Sequence, residues 1–508
     1  MNYVREWLFG AEETRGPIDE LKHPVNEPDM YPVHTVDHIK ECQTFVAMIM
    51  LFNDVLDTDM LNDSLSRLLE IGDWRKLGGR LKRGGDGGLQ IQVPPKFTAE
   101  QPAITYTHIC LTHMKISDHP VAKRLPTRTG DPSIQTLPES AEFRTLQVRE
   151  DFPTSLDALI AADLPQISLH VHSFRDATVV GFAWAHTAMD GVGWAALLRS
   201  WSLVMAGQVE KVPLVAGARH DILSHLPPGD SDQEKLLDSQ GRLRNLRLAK
   251  FICRSGWEKL TGPAKVLRAM YIPKVKYDML VKRIKDQVSR IATGVNEKLY
   301  ISEVDALIAW ITRQIALSQP RPRPVTIMSI INYRFRLKEL LRLDDVYLQN
   351  LLMLSYTLLS AQEARGAVAP LALSHRAQVM EQTTEPRVAS FVKWVSKHVD
   401  KGKSAIRLCG DPDSIMIWLN SFTKAEIMKV TDFAPAVLRP GEGVETRSNP
   451  SGTMVNWIFK DVNEPMPYMD ALHILGKDHS GGAWIEGYLS LEVWDALEQQ
   501  MNLLVEES

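Results

Sequence analysis

Cysteine is scarce in this sequence, and its spacing excludes a disulfide frame or a zinc site. The chain of 508 residues has four cysteines, and no two of them form a CxxC pair: Cys42, Cys110, Cys253 and Cys409. Thiols this far apart are typical of reduced, mostly structural positions. We therefore expect neither disulfides nor a bound metal.

Long apolar runs and an excess of one charge are lacking as well. The longest apolar stretches, Val46–Phe52 and Leu351–Leu359, are too short to span a bilayer. Arg5 and Glu6 stand where a secretory signal would have its apolar core. The formal net charge of −4 gives no reason to expect nucleic acid or an acidic membrane as a partner. These absences favour a cytoplasmic protein without membrane insertion.

What the sequence does contain is an ordinary globular composition. Hydrophobic residues make up 44% of the chain and charged residues 24%, as in typical soluble proteins. The length predicts two to three domains. Strand-like and helix-like patterns occur in both halves, which favours an α/β protein built from two similar domains with a site between them.

One stretch, Thr178–Gly207, carries the strongest chemical pattern. Val179–Ala185 is apolar and predicts a buried strand, and apolar residues at helical spacing follow from Gly191. Between them lies the hexad His-Thr-Ala-Met-Asp-Gly, with the pattern HxxxDG. An imidazole at His186 can take a proton from an alcohol or amine near neutral pH. Asp190 either holds that imidazole or turns away to pair with a cation.

The same hexad has a purely structural interpretation. His186 would then be a core histidine at a helix entry, and Asp190 would be the N-cap of the helix. In either interpretation Gly191 lets the chain leave through backbone angles that other residues resist. Its position directly after an apolar strand favours the catalytic interpretation, because a side chain there can face a cavity.

Two other patterns resemble ligand sites but favour simpler interpretations. His170 and His172 lie on one face of a predicted strand, and with His186 they would supply three zinc ligands. Nothing supplies a carboxylate at metal spacing, so we expect histidines in a strand wall. The run Gly84–Gly88 lacks the GK[ST] ending of a phosphate loop and precedes a strand. It predicts a hairpin turn.

The second half follows a segment of different character, from about residue 208 to 265. Its piece Leu246–Trp257 is basic and amphipathic, and we expect its apolar face to pack on one domain, since the basic run is short for a membrane surface. Further on, the strand-like sequence VTIMSIINYRFRL would place Arg334 and Arg336 on the same side if it stays extended. Another predicted strand, Ser414–Leu419, ends at Asn420-Ser421-Phe422.

The motifs, taken in order over nearly the whole chain, resemble those of the BAHD acyltransferase superfamily. Besides HxxxDG at His186–Gly191, the matching segments are Trp74–Leu81 (WRKLGGRL), Ser302–Trp310, Asn332–Leu337 (NYRFRL, similar to RxRL), Tyr347–Asn350 (YLQN, similar to YFGN), Asn420–Phe422 (similar to TSW) and Asp432-Phe433 (the start of DFGWG). Two departures stand out: Ala434-Pro435-Ala436 replaces the glycines and tryptophan of DFGWG, and Asn-Ser-Phe replaces TSW. Both departures are typical of divergent fungal secondary-metabolite members.

The resemblance implies an architecture. It predicts an α/β fold of two chloramphenicol-acetyltransferase-like domains, each a mixed sheet with flanking helices, joined by a crossover. The expected parts are an N-terminal domain with HxxxDG at residues 1–207, a crossover linker at 208–268 and a C-terminal domain at 269–508. A tunnel would follow the interface between the domains, and the protein would be a monomer.

The resemblance also implies a reaction. The expected enzyme is an acyltransferase for groups other than aminoacyl groups, with no resident cofactor and with acyl-CoA, in particular acetyl-CoA, as cosubstrate. The acceptor would be a hydroxyl of a hydrophobic secondary metabolite such as a terpenoid or polyketide. His186 would be the general base.

The remaining site residues are expected from the same resemblance. Asn420, or Ser421 beside it, would donate to the oxyanion, and Asp432 would lie on the coenzyme side. Asp190 would pair with an arginine of the RxRL-like segment, first Arg334 and second Arg336, and so support the turn at His186. Gly191 completes this support.

Two alternatives keep the fold and change the function. A condensation-domain-like enzyme would take its acyl group from a carrier protein, but such domains usually show a doubled histidine and Ala185 precedes His186 here. A binding protein without catalysis would account for the decayed DFGWG segment. The intact His186 and Asp190 argue against that second alternative.

Overall fold

A computed structural model describes residues 27–85, 87–138, 140–226, 232–292, 299–337, 345–399, 402–441, 447–461 and 469–504. The strands of these ranges are β1 Asp29–Pro32, β2 Phe45–Phe52, β3 Asp54–Leu56, β4 Arg80–Arg83, β5 Leu89–Val93, β6 Thr105–Leu111, β7 Ser133–Thr136, β8 Ile167–Phe174, β9 Thr178–Ala185, β10 Lys265–Ile272, β11 Val325–Asn332, β12 Leu352–Leu359, β13 Ile415–Ser421, β14 Val437–Pro440, β15 Met454–Asp461, β16 Asp470–Lys477 and β17 Ala483–Ser490.

The α-helices lie between and around these strands. They are Thr58–Leu68, Ser140–Gln147, Leu156–Ala161, Gly191–Met205, Gln233–Ser239, Asn245–Thr261, Lys274–Ala292, Glu303–Leu317, Ala361–Arg365, Val368–Gln382, Glu385–His398, Ile427–Val430 and Leu491–Asn502. Within the described ranges, no helix has both the length and the apolar character needed to cross a membrane.

Two large mixed sheets organise the molecule. The first has five strands in the order β15-β2-β9-β8-β6, and the second has seven in the order β12-β11-β13-β16-β17-β10-β7. Parallel pairs occur in each, β6 with β8 in the first and β13 with both β11 and β16 in the second. Two small sheets, β1-β5-β4 and β14-β3, complete the structure.

The two large sheets exchange strands across the chain. β15, from the last quarter of the sequence, pairs antiparallel with β2 near the beginning. In the opposite direction, β7 from the first half pairs with β10 of the seven-stranded sheet. The domain boundaries at residues 207 and 268 stay a prediction, because each large sheet contains a strand from the other side of these boundaries.

The central stretch folds as its pattern predicts. β9 is buried along its whole length, and the next helix, Gly191–Met205, buries Trp194 and Trp201. The two indoles flank the β9 phenylalanine: the ring centre of Phe182 lies 6.4 Å from Trp194 and 6.2 Å from Trp201. This packing fixes the turn between strand and helix, where His186 lies.

The structure corrects one strand boundary. β11 ends at Asn332 and a 3-10 turn follows at Tyr333–Phe335. The Asn332 side chain accepts a hydrogen bond from the Arg334 backbone N at 3.2 Å, a local bond that competes with extended backbone. The strand does not stay extended, which was the condition for Arg334 and Arg336 to lie on the same side, so the two arginines do not share one strand face.

The glycine-rich hairpin agrees with its pattern. β4 and β5 pair antiparallel on either side of Gly84–Gly88, and the Gly84 backbone N donates to the Gly88 carbonyl at 2.8 Å. Asp86 itself lies outside the described residues. The segment is a hairpin turn, as predicted.

Candidate active site

A cavity of about 560 Å³ lies between the two large sheets. The five-stranded sheet contributes side chains from β2, β9 and β15, and the seven-stranded sheet contributes from β11, β12, β13 and β16. Its lining includes five predicted site residues: His186, Gly191, Arg336, Asn420 and Ser421. A space with walls from both sheets is where two substrates can meet away from bulk water.

The backbone of His186 is fixed from two sides at the end of β9. Its N–H donates to the Thr44 carbonyl at 2.8 Å, and its carbonyl accepts from Asn350 Nδ2 at 2.7 Å. The ring lines the cavity. Its Nδ1 is enclosed, and no described atom forms a hydrogen bond with it. Nε2 is therefore the ring nitrogen available to a substrate.

Asp190 turns away from the imidazole. Its Oδ1 caps the helix by accepting from the N–H groups of Val192 at 3.0 Å and Gly193 at 2.9 Å. Both carboxylate oxygens also accept from Arg334 Nη1, at 2.8 and 2.9 Å. Asp190 is thus both the N-cap of the helix and the ion-pair partner of Arg334, so the two interpretations of this residue are compatible.

Arg334 joins this turn to the second half of the chain. Its Nη2 donates to the carbonyls of Tyr347 at 3.1 Å and Gln349 at 2.9 Å, within the YLQN segment. Both side chains of the Asp190–Arg334 pair have no exposed surface. Removing one partner of such a pair leaves an uncompensated charge and costs about 3–5 kcal/mol.

Asp37 is a site residue that sequence reasoning missed. Its Oδ1 accepts from the Asn350 backbone N at 2.9 Å and from Asn350 Nδ2 at 2.7 Å, the same amide group that reaches the His186 carbonyl. Burial raises the pKa of the Asp37 carboxyl to about 7, against the opposing effect of Lys76. The YLQN resemblance had pointed to Asn350, but no motif connected it to an aspartate some 300 residues earlier.

Gly191 is needed for space and not for an unusual backbone angle. Its φ lies outside the left-handed region. A Cβ at this position would lie 2.5 Å from the ring of Phe422. That ring is itself held edge-on against Trp457, with centres 5.1 Å apart. The expectation that Gly191 supplies backbone freedom is therefore corrected: it lets the HxxxDG turn approach the Asn-Ser-Phe segment closely.

The structure separates the late motif residues. Asn420 and Ser421 end β13 and both line the cavity, where the Ser421 hydroxyl lies 2.9 Å from that of Thr423. Asp432 is exposed and is not among the described residues that line the cavity; its Oδ1 accepts from the Ala434 N–H at 3.0 Å. Phe433 packs in the core, stacked on Phe52 at 5.3 Å. In the Asp432-Phe433 segment, Phe433 thus packs against the five-stranded sheet.

Three cations lie close together at the cavity: Arg336, Arg376 and Lys424. The pKa of Lys424 is lowered to about 8, by burial of the ammonium group first and then by Arg336 and Arg376, although other parts of this residue are exposed. Burial and Arg376 also lower the pKa of Arg336. Asp305 offers partial compensation, 3.8 Å from Arg376. Cations held together in this way favour an anionic ligand.

Another part of the same cavity is apolar. It is lined by Ile39, Cys42, Leu237, Phe391, Trp394 and Ile406. These side chains come from the start of the chain, the crossover, the helix Glu385–His398 and, for Ile406, the segment between that helix and β13. One cavity therefore offers a charged environment and an apolar environment together with a histidine.

The histidines of β8 do not join His186. The rings of His170 and His172 meet edge to face with centres 4.6 Å apart, and one nitrogen of His170 lies 3.2 Å from the Thr145 carbonyl. Over the described ranges, no cluster of three His, Cys, Asp or Glu side chains suits a metal ion. The two histidines belong to the wall of the strand.

Fungal acetyltransferases resemble this chain in sequence over nearly its whole length. No protein-family model matches the chain. The chain is 29% identical over 505 residues to the O-acetyltransferase PaAT-2 of Phomopsis amygdali, covering 97% of this chain and 99% of that protein. It is 28% identical to the acetyltransferase BOT5 of Botryotinia fuckeliana, covering 98% of this chain and 94% of that one.

Solved structures share the fold. TRI101 of F. sporotrichioides, complexed with Coenzyme A and T-2, matches with a TM-score of 0.65 at 14% identity, covering 93% of this chain and 97% of that chain. Vinorine synthase matches with a TM-score of 0.50 at 12% identity, covering 97% and 96%. The fold is thus the two-domain, chloramphenicol-acetyltransferase-like architecture, and the predicted fold class is confirmed.

The ordered motifs and the full-length similarity to fungal acetyltransferases identify the chain more closely. It is an acyltransferase, similar over nearly its whole length to fungal acetyltransferases. The recognition made from the motifs is confirmed.

Proposed function

We propose that this chain transfers an acetyl group from acetyl-CoA to a hydroxyl of a hydrophobic secondary metabolite, with His186 as the general base. The observation that carries the proposal is the position of the His186 ring on a cavity with walls from both sheets. The names of PaAT-2 and BOT5 support acetyl as the transferred group. A terpenoid or polyketide acceptor fits the apolar lining.

The reaction is a direct transfer between two bound substrates. His186 Nε2 accepts the proton of the acceptor hydroxyl as that oxygen attacks the thioester carbonyl. The tetrahedral intermediate then expels the coenzyme thiolate, which receives the proton from the imidazolium and leaves as the thiol. The products are an ester and the free coenzyme, and proximity in one cavity supplies much of the rate.

The oxyanion of the tetrahedral intermediate requires a donor at the cavity wall. Asn420 offers its amide NH₂ and Ser421 its hydroxyl, and both side chains are at the cavity. Since Ser421 is already close to Thr423 at 2.9 Å, we assign the donor to Asn420 and give Ser421 a supporting position. Asp432 is assigned no contact with the coenzyme.

Two sets of contacts position the histidine. The Asp190–Arg334 pair holds the turn after His186, and Gly191 lets that turn lie against Phe422. Asn350, held by Asp37, fixes the carbonyl of His186 itself. Asp190, Arg334, Asn350 and Asp37 are positioning residues, because none of them faces the reacting atoms.

The two environments of the cavity suit the two substrates. The phosphates of the coenzyme carry negative charge and match the cluster of Arg336, Arg376 and Lys424. The acceptor matches the apolar lining near Phe391 and Trp394. TRI101, solved with Coenzyme A and T-2, shows one protein of this fold with both kinds of ligand. The monomeric state and the cytoplasmic location stay predictions.

His186→Ala tests the proposal. With acetyl-CoA and an extract of candidate acceptors, the wild type should release free thiol, and the variant should lose at least about 100-fold of that rate. The matched control is His170→Ala, a buried histidine on β8 outside the described cavity lining. Equal release by wild type and His186→Ala, with both folded by circular dichroism, would contradict catalysis and favour a binding protein.

A further inference from the structure

The crossover helix Asn245–Thr261 is attached to the molecule through its polar side. Arg254 donates to the carbonyls of Pro412 and Ser414, both at 2.9 Å. Arg247 donates to the Gly410 carbonyl at 2.8 Å. Phe251 is the buried residue of this helix. Its arginines, together with Phe251 and the partly buried Leu248, hold it on the second half of the chain, so most of its other apolar side chains face away from the protein.

The opposite face of this helix is apolar and exposed. At about 100° per residue, six residues fall within an arc of roughly 100° opposite Phe251: Leu246, Ala249, Cys253, Gly256, Trp257 and Leu260. The exposed fraction is 86% for Leu246, 67% for Trp257 and 83% for Leu260. Ile252, exposed by 58%, lies at the margin of the arc. The expectation that the apolar face of this segment packs on a domain is wrong for most of its apolar side chains.

Positive charge flanks this apolar face. The helix sequence contains four cations and one acid. That acid, Glu258, is engaged on the protein side by Arg254 at 2.9 Å and Arg323 at 2.8 Å. Lys250 and Lys259 stand at the two margins of the arc and are exposed. The net charge of −4 for the whole chain conceals this local excess of positive charge.

We propose that the exposed face of Asn245–Thr261 docks this protein on the surface of an anionic lipid bilayer, without crossing it. Leucine and tryptophan side chains on one helix face, with lysines at its margins, are the pattern of a helix that lies in the plane of the membrane interface. Tryptophan suits the headgroup region because its ring is apolar and its N–H is polar. This proposal is independent of the proposed reaction.

Charge favours a bilayer over a second copy of the chain. Lysines border both margins of the apolar arc, so two copies joined face to face would bring cations against cations. An anionic lipid surface instead presents the opposite charge along both margins while it covers the apolar side chains. Residues 262–264, which follow the helix, are exposed as well.

Vesicle flotation with the full chain tests the proposal. The probes are vesicles of phosphatidylcholine alone and vesicles of phosphatidylcholine with about 30% phosphatidylserine, which gives the second set an anionic surface. We expect the wild type to float with the anionic vesicles and to bind neutral vesicles several-fold less. Leu246→Glu together with Trp257→Glu should lower vesicle binding by about tenfold or more, because the two substitutions replace apolar side chains of this face with charged ones.

Leu438→Glu is the matched control, since Leu438 is an exposed leucine, at 65%, outside this helix; it should float like the wild type. Lys250→Gln with Lys259→Gln should reduce the preference for anionic lipid and its sensitivity to salt. Wild type that stays unbound to anionic vesicles would overturn the proposal. A dimer in light scattering that the double glutamate variant abolishes would assign the face to a second copy and overturn it as well.

Discussion

At the scale of single residues, Asp190 is occupied on both of its carboxylate oxygens. Besides the helix N–H groups and Arg334, it accepts from Asn332 Nδ2 at 2.9 Å and from the Leu351 N–H at 3.2 Å. A carboxylate with this many partners is held in place by them, and the His186 ring is not among these partners. Its loss should therefore affect folding first and catalysis second.

Asp190→Asn should lower the free energy of unfolding by about 3–5 kcal/mol, because it leaves the Arg334 charge buried without its partner. The urea midpoint measures this change. Arg336→Gln is the control in the same segment, since Arg336 is partly exposed and its loss should cost far less. A variant as stable as the wild type but slower in acyl transfer would contradict the anchoring role.

Asp37 should make stability depend on pH. Its pKa is about 7 in the folded protein and near 3.8 when unperturbed, so the folded state binds its proton more tightly. The resulting contribution to stability is complete below about pH 4 and is lost as the pH rises through about 7. The Asp37→Asn variant has no carboxyl at this position, so it should not show this loss of stability at high pH. Its side chain keeps one oxygen that can accept a hydrogen bond from Asn350.

Urea midpoints at about pH 5 and pH 8 measure the difference. The free energy of unfolding of Asp37→Asn minus that of the wild type should be larger at pH 8 than at pH 5, by at least about 1 kcal/mol. Parallel changes in wild type and variant would show that Asp37 is ionised in the folded protein across this range.

At the scale of elements, the close approach of the helix Gly191–Met205 to β13 and the YLQN segment depends on two glycines. A Cβ at Gly191 would meet the Phe422 ring at 2.5 Å, and one at Gly193 would meet the Leu348 carbonyl oxygen at 2.3 Å. The Phe422 ring can shift to make room for a methyl group. The Leu348 carbonyl belongs to the YLQN backbone, so it can move only if Arg334 and its partners move as well.

Gly191→Ala should cost about 1–3 kcal/mol of stability through overpacking, and it should lower acyl transfer because Phe422 adjoins Asn420 and Ser421. Gly193→Ala should cost more. Thermal unfolding and free thiol release measure the two effects. Gly130→Ala, where a Cβ meets nothing within 4 Å, is the control. A Gly191→Ala protein that matches this control in both measurements would remove the proposed contact with Phe422.

The local elements were predictable where their causes are local. The strand β9 and the helix after it follow from apolar periodicity, and their bounds agree with the sequence pattern. The Asp190–Arg334 pair followed from the resemblance, since two distant motifs carry its partners. The turn at Tyr333 was missed because apolar residues continue past β11, although Asn332 supplies the competing local hydrogen bond.

Other features have causes that periodicity does not contain. Asp37 reaches His186 through Asn350 only after folding. The orientation of the helix Asn245–Thr261 depends on the carbonyls that its arginines find at residues 410–414. A pattern of apolar and basic residues shows that a helix has two faces, but which face meets the protein depends on the partner.

At the scale of the whole molecule, the exchange of β7 and β15 ties the two sheets together. Residues 1–207 without the rest of the chain would leave β2 as an edge strand with eight buried, apolar residues. Such an edge favours aggregation. We therefore expect residues 1–207 alone to be insoluble.

Co-expression with residues 208–508 should restore solubility, because that fragment supplies β15. The soluble fraction and gel filtration of each sample measure the outcome. A soluble, monomeric fragment 1–207 with a folded spectrum would show that the first predicted domain folds on its own.

The pairing of β2 with β15 also has a consequence for biosynthesis. About 400 residues separate Phe52 from its partner Met454. At a translation rate of about 5–20 residues per second, a ribosome takes roughly 20–80 s to make them. During that interval the sequence FVAMIMLF lacks its final neighbour, and we expect added chaperones to raise the yield of the folded protein.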